Sequence, residues 1–283
     1  MTLAARAAES DAFGRHLRRW RKARGKSQLE LSMIAGYSQR HLSFVESGRA
    51  RPSRSTVMVL CEALAVPLAS RNELLLAAGF APVYRERAID GSELAPFRRE
   101  LEALLERHDP FPALIVDDAW TLVHANTAAL RFFYWLRRGA PLQGNNVVQW
   151  CFDDDGLKPH MLEWPLAARH LVWRLQREVL ADPDNQRLAT LLSSLQSKLP
   201  TEPINGLLDG LRLAPPIMTT AFRRLSEGPT SADAAPGEPA MRFFSLLSTV
   251  GTAQDVTLTG LHLETFVPAD AETRAQLDQL AAV

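Results

Sequence analysis

The sequence predicts a two-part chain: an all-α N-terminal module of five short helices, followed by an α+β body. Three observations predict it. Glycines and small polar residues punctuate residues 12–79 closely enough that only short helices fit between them. Residues 113–125 read as two short apolar strands around a turn, and further strand-like runs follow residue 217. Charge divides in the same way. Residues 13–54 carry eleven Lys or Arg against two acids, Glu30 and Glu46, a net of +9. Residues 1–12 add −1, so the other 229 residues of this neutral 283-residue chain hold −8.

In the N-terminal module the first helix is expected from Ala12 to Arg24, with Phe13, Leu17 and Trp20 on one face and Gly25 at its end. Ser27 is placed to cap a second helix, Gln28 to Ala35, with Leu31 and Ala35 inward. Gly36 permits a sharp turn, and Ser38 caps a third helix, Gln39 to Ser47. Leu42 and Val45 point to the core there, and Gln39, Arg40 and Ser43 share the opposite side. A fourth helix, Arg54 to Ala65, turns Val57, Leu60, Cys61 and Leu64 inward and stops at Pro67. A fifth is expected from Arg71 to Ala78.

Helix, glycine turn and helix is a helix-turn-helix layout. A basic solvated face without a partner would carry the same charge, so the polar, capped third helix decides in favour of double-stranded DNA. Gln can bond an adenine at two points, Arg a guanine, and Ser can donate or accept. Gln28, Arg49 and Arg51 are placed to touch phosphates, which set register and salt dependence.

The run from Ser27 through Gly36-Tyr-Ser-Gln-Arg-His-Leu-Ser-Phe-Val-Glu-Ser-Gly-Arg-x-Arg-Pro resembles the XRE-type helix-turn-helix of bacterial and phage repressors. That resemblance implies a lambda-repressor-like fold over roughly residues 12–79 and assigns DNA contacts to Gln28, Gln39, Arg40, His41 and Ser43; the capping Ser38 is a further candidate contact. Two departures stand out. Phe44 occupies a position that is often polar in the family; it either meets a thymine methyl or packs on its own domain. Leu29, Met33 and Ile34 replace residues that are usually charged, and the Leu29–Met33 stripe is read as an interdomain or subunit contact over plain surface variation.

Residues 81–96 read as a linker, which divides the chain into a DNA-binding domain at 1–80 and a second domain at 97–283. A helix is expected over 92–108, then the strand ALIVD, the turn DDAW and the strand TLVHA. Asn126 then opens an aromatic helix with Phe132, Phe133, Trp135 and Leu136. A helix is expected over 162–180, and Asp184 is expected to cap another over 186–198. Residues 200–216 read as loop, and strands are expected over 217–224, in MRFFSLLSTV and in VTLTGLHLETFVP, before a helix over 271–282.

IVDDAWTLVHAN resembles the opening of a PAS domain, and the second half as a whole resembles the MmyB-like ligand-binding domain found behind XRE-type modules. That resemblance implies a pocket for a small, mostly apolar, fatty-acid-like ligand. Trp135, Trp150 and Trp173 are candidates to line it, although aromatics at helical spacing are more often plain core. His124, Asn126 and Arg169 are candidates to orient a polar head. Arg169 is the first choice for a carboxylate, and helix capping is the alternative for Asn126.

No catalytic residues, metal ligands or cofactor are expected. Asp153–Asp154–Asp155 before Gly156 reads as a turn, and His160 and His170 lack ligands at metal spacing. Neither a phosphate-binding glycine loop nor a nucleophile elbow is present. The longest apolar runs are broken by charge and too short for a bilayer, the N-terminus has no signal-peptide pattern, and the two cysteines lie far apart. The expectation is a cytoplasmic, homodimeric regulator, not an enzyme and not a membrane protein.

Overall fold

Ser27, Ser38 and Ser53 each sit one residue before a helix, and each hydroxyl accepts a backbone N–H that the first turn leaves without a partner. Ser27 goes further: Glu30 reaches back to its backbone N–H at 2.6 Å and completes a capping box. In the computed structural model, which describes residues 3–199, 219–225, 239–250 and 255–282, these caps delimit α1 (Leu3–Ala23), α2 (Gln28–Ala35), α3 (Gln39–Glu46), α4 (Arg54–Ala63) and α5 (Leu68–Ala77). Two starts differ from expectation. The first helix begins at Leu3 rather than Ala12, because the alanine-rich stretch LAARAAES favours helix even though it lacks the apolar stripe that marks Phe13, Leu17 and Trp20. The fifth begins at Leu68 rather than Arg71: Pro67 both ends α4's continuation and opens α5 with φ −58°, the angle a helix start requires.

The chain divides into two compact units. One holds the described residues up to Arg87, with Gln176–Ala189 and 255–259. Its core is a single cluster in which Phe13, Leu17, Trp20, Leu31, Leu42, Val45, Val57, Leu60 and Leu64 are buried, each contributing about 2 kcal/mol by leaving water. Gly14 lets α1 lie against the end of α3. A Cβ there would stand 2.5 Å from the Glu46 carbonyl oxygen, a distance no side chain tolerates.

The second unit holds Ala88–Leu175 with the described parts of 190–251 and 260–283. Its elements are α6 (Ala95–Glu106), β1 (Ala113–Val116), β2 (Leu122–Ala125), α7 (Thr127–Leu136), α8 (Val147–Trp150), β3 (Met161–Leu162) and the start of α9 (Trp164–Ala181). After α10 (Gln186–Gln196) come β4 (Thr220–Phe222), β5 (Met241–Thr249), β6 (His262–Pro268) and the C-terminal helix Ala271–Ala281. The strands form one antiparallel sheet in the order β2-β1-β6-β5-β4-β3. All four residues of β1 are buried, which is why that strand reads as a continuous apolar run rather than an alternating one. The fold is thus an all-α module followed by an α+β domain, as expected. The loop expected over 200–216, part of the strand expected over 217–224 and the turn after Leu225 lie outside the described residues.

Two expectations are corrected. The last strand does not begin at Val256. Residues Val256–Thr259 form one helical turn, because Asp255 Oδ1 accepts the Thr257 N–H at 3.0 Å and so caps it. Nor does Asp184 cap α10; the neighbouring Asn185 does, accepting the Leu188 N–H at 2.9 Å.

Asn126 joins three elements of the second unit. Its side-chain oxygen accepts from Ala129 N at 2.8 Å and from Ala113 N at 3.0 Å, and its amide donates to the carbonyls of Leu105 at 3.2 Å and Phe111 at 3.0 Å. It is wholly buried. Replacing Asn126 with Ala removes the α7 cap and strands buried backbone groups. The expected loss of stability is about 3 kcal/mol by denaturant unfolding, against about 1 kcal/mol for an ordinary exposed cap.

Candidate nucleic-acid interface

Gly36 adopts φ +71°, the left-handed conformation that ends α2 and turns the chain into α3. Ser38 then caps α3 through the His41 N–H at 3.1 Å. With Leu42 and Val45 each 1% exposed, one face of the helix is turned into the core, and Gln39 and Arg40 are left exposed on its first turn. Ser43 and His41 are half-buried, the His41 ring lying 5.3 Å from that of Tyr37. Phe44 is half-buried, and the Arg40 guanidinium lies over its ring at 5.3 Å. Such a contact restrains a flexible cation on the helix surface. Arg49 and Arg51, in the loop after α3, are both exposed. So are Leu29, Met33 and Ile34 on α2, at 51%, 65% and 54%.

What holds α3 in place was not foreseen. Glu46, its last residue, is 3% exposed. Arg21 on α1 grips its carboxylate with two bonds, Nε to Oε1 at 2.6 Å and Nη2 to Oε2 at 2.9 Å. The Gln28 amide donates to the same Oε2 at 2.8 Å, so Gln28 is tied into the module's own scaffold. Arg18 Nε stands 3.6 Å from that oxygen. Burial alone would raise the Glu46 pKa, but the hydrogen bonds from Arg21 and Gln28 and the charges of Arg21 and Arg18 outweigh it and hold the carboxyl below its ordinary value. A signal was available in the sequence: Glu46 is one of only two acids in the basic stretch, and it sits where an inward face ends.

His16, Glu73 and Asp184 bring metal-ligand atoms within 4.8 Å of one another. Arg19 pairs with the same Asp184 carboxylate, so the positive charge that a metal ion would supply is already present. Burial and then Arg19 lower the His16 pKa, which favours a neutral ring there.

In the second unit the candidate ligand residues separate. Trp150 is buried, bonds the Gln143 carbonyl through its indole N–H at 3.0 Å and meets Phe133 edge to face at 5.9 Å. Trp135 stacks 6.4 Å from Phe132, with the Arg224 guanidinium 5.5 Å above its ring. Phe132 and Phe133 adjoin at 5.4 Å, so both tryptophans belong to one aromatic cluster. Two of the candidates stand apart from these. Trp173 is 56% exposed, outside that cluster, because its place on α9 faces away from the side carrying buried Ala168, Val172 and Leu175. Asn126 has all its bonding capacity taken up by backbone, as described above, and has none to offer a ligand. His124 on β2 and Arg169 on α9 are half-buried. Among the described residues no helix is long and apolar enough to cross a membrane.

A capped, rotationally fixed second helix after a glycine turn, set in a basic five-helix module and joined to an α+β domain, defines a DNA-binding transcription regulator of two parts. Residues 12–74 match the helix-turn-helix domain family, and residues 97–203 match the MmyB-like transcription regulator ligand binding domain. The chain belongs to the XRE-type helix-turn-helix regulators that carry an MmyB-like ligand-binding domain; these are regulators, not enzymes. Similar solved structures include the restriction-modification controller protein C.AhdI from Aeromonas hydrophila, 31% identical over 24% of this chain and 97% of that one, with a TM-score of 0.22. Another is the clp gene regulator ClgR from C. glutamicum, 30% identical over 25% of this chain and 88% of that one, also with a TM-score of 0.22. Among the curated proteins, none matches the chain.

Replacing Glu46 with Ala leaves the Arg21 guanidinium buried without its counter-charge. The expected cost is about 3–5 kcal/mol in urea unfolding. Because the Glu46 pKa is lowered on folding, its contribution is complete above the unfolded value of about 4.3 and is lost as the pH falls through the folded value. Glu46→Gln therefore makes the unfolding midpoint less sensitive to acid than wild type as the pH falls below about 5.

Proposed function

We propose that the protein is a sequence-specific, cytoplasmic transcription regulator that binds duplex DNA as a homodimer and responds to a small apolar, fatty-acid-like ligand. The observation that carries the DNA reading is the outward first turn of α3. Gln39 and Arg40 stand exposed at a capped helix N-terminus while Leu42 and Val45 anchor the other face. In this reading Gln39, Arg40 and Ser43 meet base edges in the major groove, Ser38 and His41 flank them, and Phe44 supports Arg40 from beneath. Gln28 acts mainly by holding Glu46, and Arg49 and Arg51 grip phosphate. One such helix reads too few base pairs for useful selectivity, which is the reason for proposing two copies on a two-fold-related site.

The ligand reading rests on the family's ligand-binding domain and on the aromatic content of the second unit. A second reading, in which that domain serves assembly or a protein partner without a small ligand, is favoured by one observation. Phe132 is packed ring on ring against Phe222 at 5.7 Å and Phe243 at 5.3 Å, so the aromatics meet one another closely. Native mass spectrometry of the purified protein separates the two readings. The first expects a dimer with a co-purifying lipid-sized mass, the second a dimer without one.

For DNA, Gln39→Ala and Arg40→Ala are each expected to cost about 1–3 kcal/mol on a duplex selected from a random pool and to relax sequence preference. Arg49→Ala and Arg51→Ala are each expected to weaken binding equally on all sequences and to reduce the salt slope by about 1. Fluorescence anisotropy over a salt series measures both. If neither pair changes affinity, α3 is not the reading helix.

A further inference from the structure

The first unit contains a segment that lies far from it in sequence: the last turn of α9 and the turn that follows, within Gln176–Ala189. Its attachment is unusually polar. Asp184 is 4% exposed, and its carboxylate accepts the indole N–H of the fully buried Trp20 at 2.5 Å, across 164 residues of chain. Arg19 pairs with the same carboxylate, and His16 Nδ1 stands 3.6 Å from it. Asp182 accepts the Ser70 hydroxyl at 2.9 Å. Arg24 lies over the Trp20 ring at 4.9 Å and binds the ends of two helices. It donates to Leu64 O at 2.9 Å and Ala65 O at 3.1 Å after α4, and to Ala181 O at 2.9 Å and Leu180 O at 3.4 Å at the end of α9. Helix C-termini leave carbonyls without partners and carry partial negative charge, so one guanidinium stabilises both.

Two features make this attachment releasable. A buried carboxylate is expensive, and here its partners Trp20, Arg19 and His16 all come from α1. Departure of the segment therefore returns Asp184 to water and lowers the cost of opening. The module also survives the loss: Arg24 keeps its bonds to Leu64 and Ala65, and Trp20 keeps its apolar neighbours in the core cluster. The first part of α9, up to Leu175, belongs to the second unit, so one continuous helix carries the chain into this attachment.

We propose that the Asp182–Asp184 turn is a latch through which the second unit sets the DNA affinity of the first: closed with Asp184 on Trp20 and Arg24 on the end of α9, open when α9 moves. The proposal rests on the DNA-binding reading of the first unit. A change in affinity transmitted this way equals the difference in latch free energy between the two DNA-binding states, and it runs in both directions.

The test uses the full-length protein and three variants. Asp184→Asn removes the charge, Trp20→Phe removes the N–H with little loss of volume, and Ser70→Ala disturbs only the Asp182 contact and leaves the α1 core untouched. Hydrogen exchange over 176–184 is expected to accelerate by about tenfold in Asp184→Asn and Trp20→Phe, and by less in Ser70→Ala, while α3 keeps its protection. Affinity for a mixed-sequence duplex is expected to change by about fivefold in the same direction in the first two, at an unchanged salt slope. Faster exchange with unaltered duplex affinity overturns the latch and leaves a structural brace; exchange that does not change overturns it too. Failure of the wild type to bind any duplex at low ionic strength removes the DNA-binding reading and the latch together, a result distinct from both.

Discussion

A single buried carboxylate sets the geometry of the DNA-binding module. Glu46 ends α3, and around it converge α1 through Arg21 and Arg18 and α2 through Gln28. Hydrophobic burial also holds these helices together, but it is non-directional and tolerates small rotations. A two-bonded guanidinium–carboxylate pair does not, because both bonds fail when either plane tilts. The net stability of such a pair is small, since desolvation offsets most of the attraction. What it fixes is orientation. Gly14 extends the same constraint to the backbone, because the Glu46 carbonyl lies where a Cβ would have to be. The outward direction of Gln39 and Arg40 therefore follows from a network at the far end of their helix.

The first unit was largely legible because its signals are local. Serine caps, glycine ends and apolar spacing each act within a few residues, and they located α2, α3 and α4 and most of the core, though not Val66, Leu74 and Leu75. The errors fell where a local signal had two meanings. Pro67 stops one helix and starts the next. Asp184 and Asn185 are both good caps, and the distant α1 partners Trp20 and Arg19 take up the Asp184 carboxylate while Asn185 takes the capping role. Val256–Thr259 is rich in β-branched residues, yet Asp255 closes a helical turn there. Glu46 was overlooked for the same reason: nothing nearby in sequence announces that its partners are 18 and 25 residues upstream.

In the second unit, aromatic content was legible and its distribution was not. Helical spacing treats Trp135, Trp150 and Trp173 alike, whereas packing separates them: the first two enter the Phe132–Phe133 cluster and the third faces out. A similar split appears around Trp120, which the sequence left in a turn. Its backbone is in the left-handed region at φ +64°, and Arg174 from α9 lies 3.9 Å over its ring while also facing the buried Glu264 at 3.7 Å. A residue with a side chain adopts that φ only when its surroundings hold it there. The arginine and acid stack beneath Trp120 thus ties α9 to the first turn and to β6.

That stack gives α9 a special position in the energetics. Past its midpoint the helix is held by Arg174 to Trp120 and Glu264; in its last turn the carbonyls of Leu180 and Ala181 are held by Arg24. Both attachments are charge-mediated and partly exposed, while the buried residues of α9 are small or aliphatic, Ala168, Val172 and Leu175. Dispersion contacts of that kind vary smoothly with small sliding movements, whereas hydrogen-bonded charge contacts are made or lost over about 1 Å. In α3, by contrast, the buried Glu46 network fixes the helix by hydrogen bonds to Arg21 and Gln28 from two other helices.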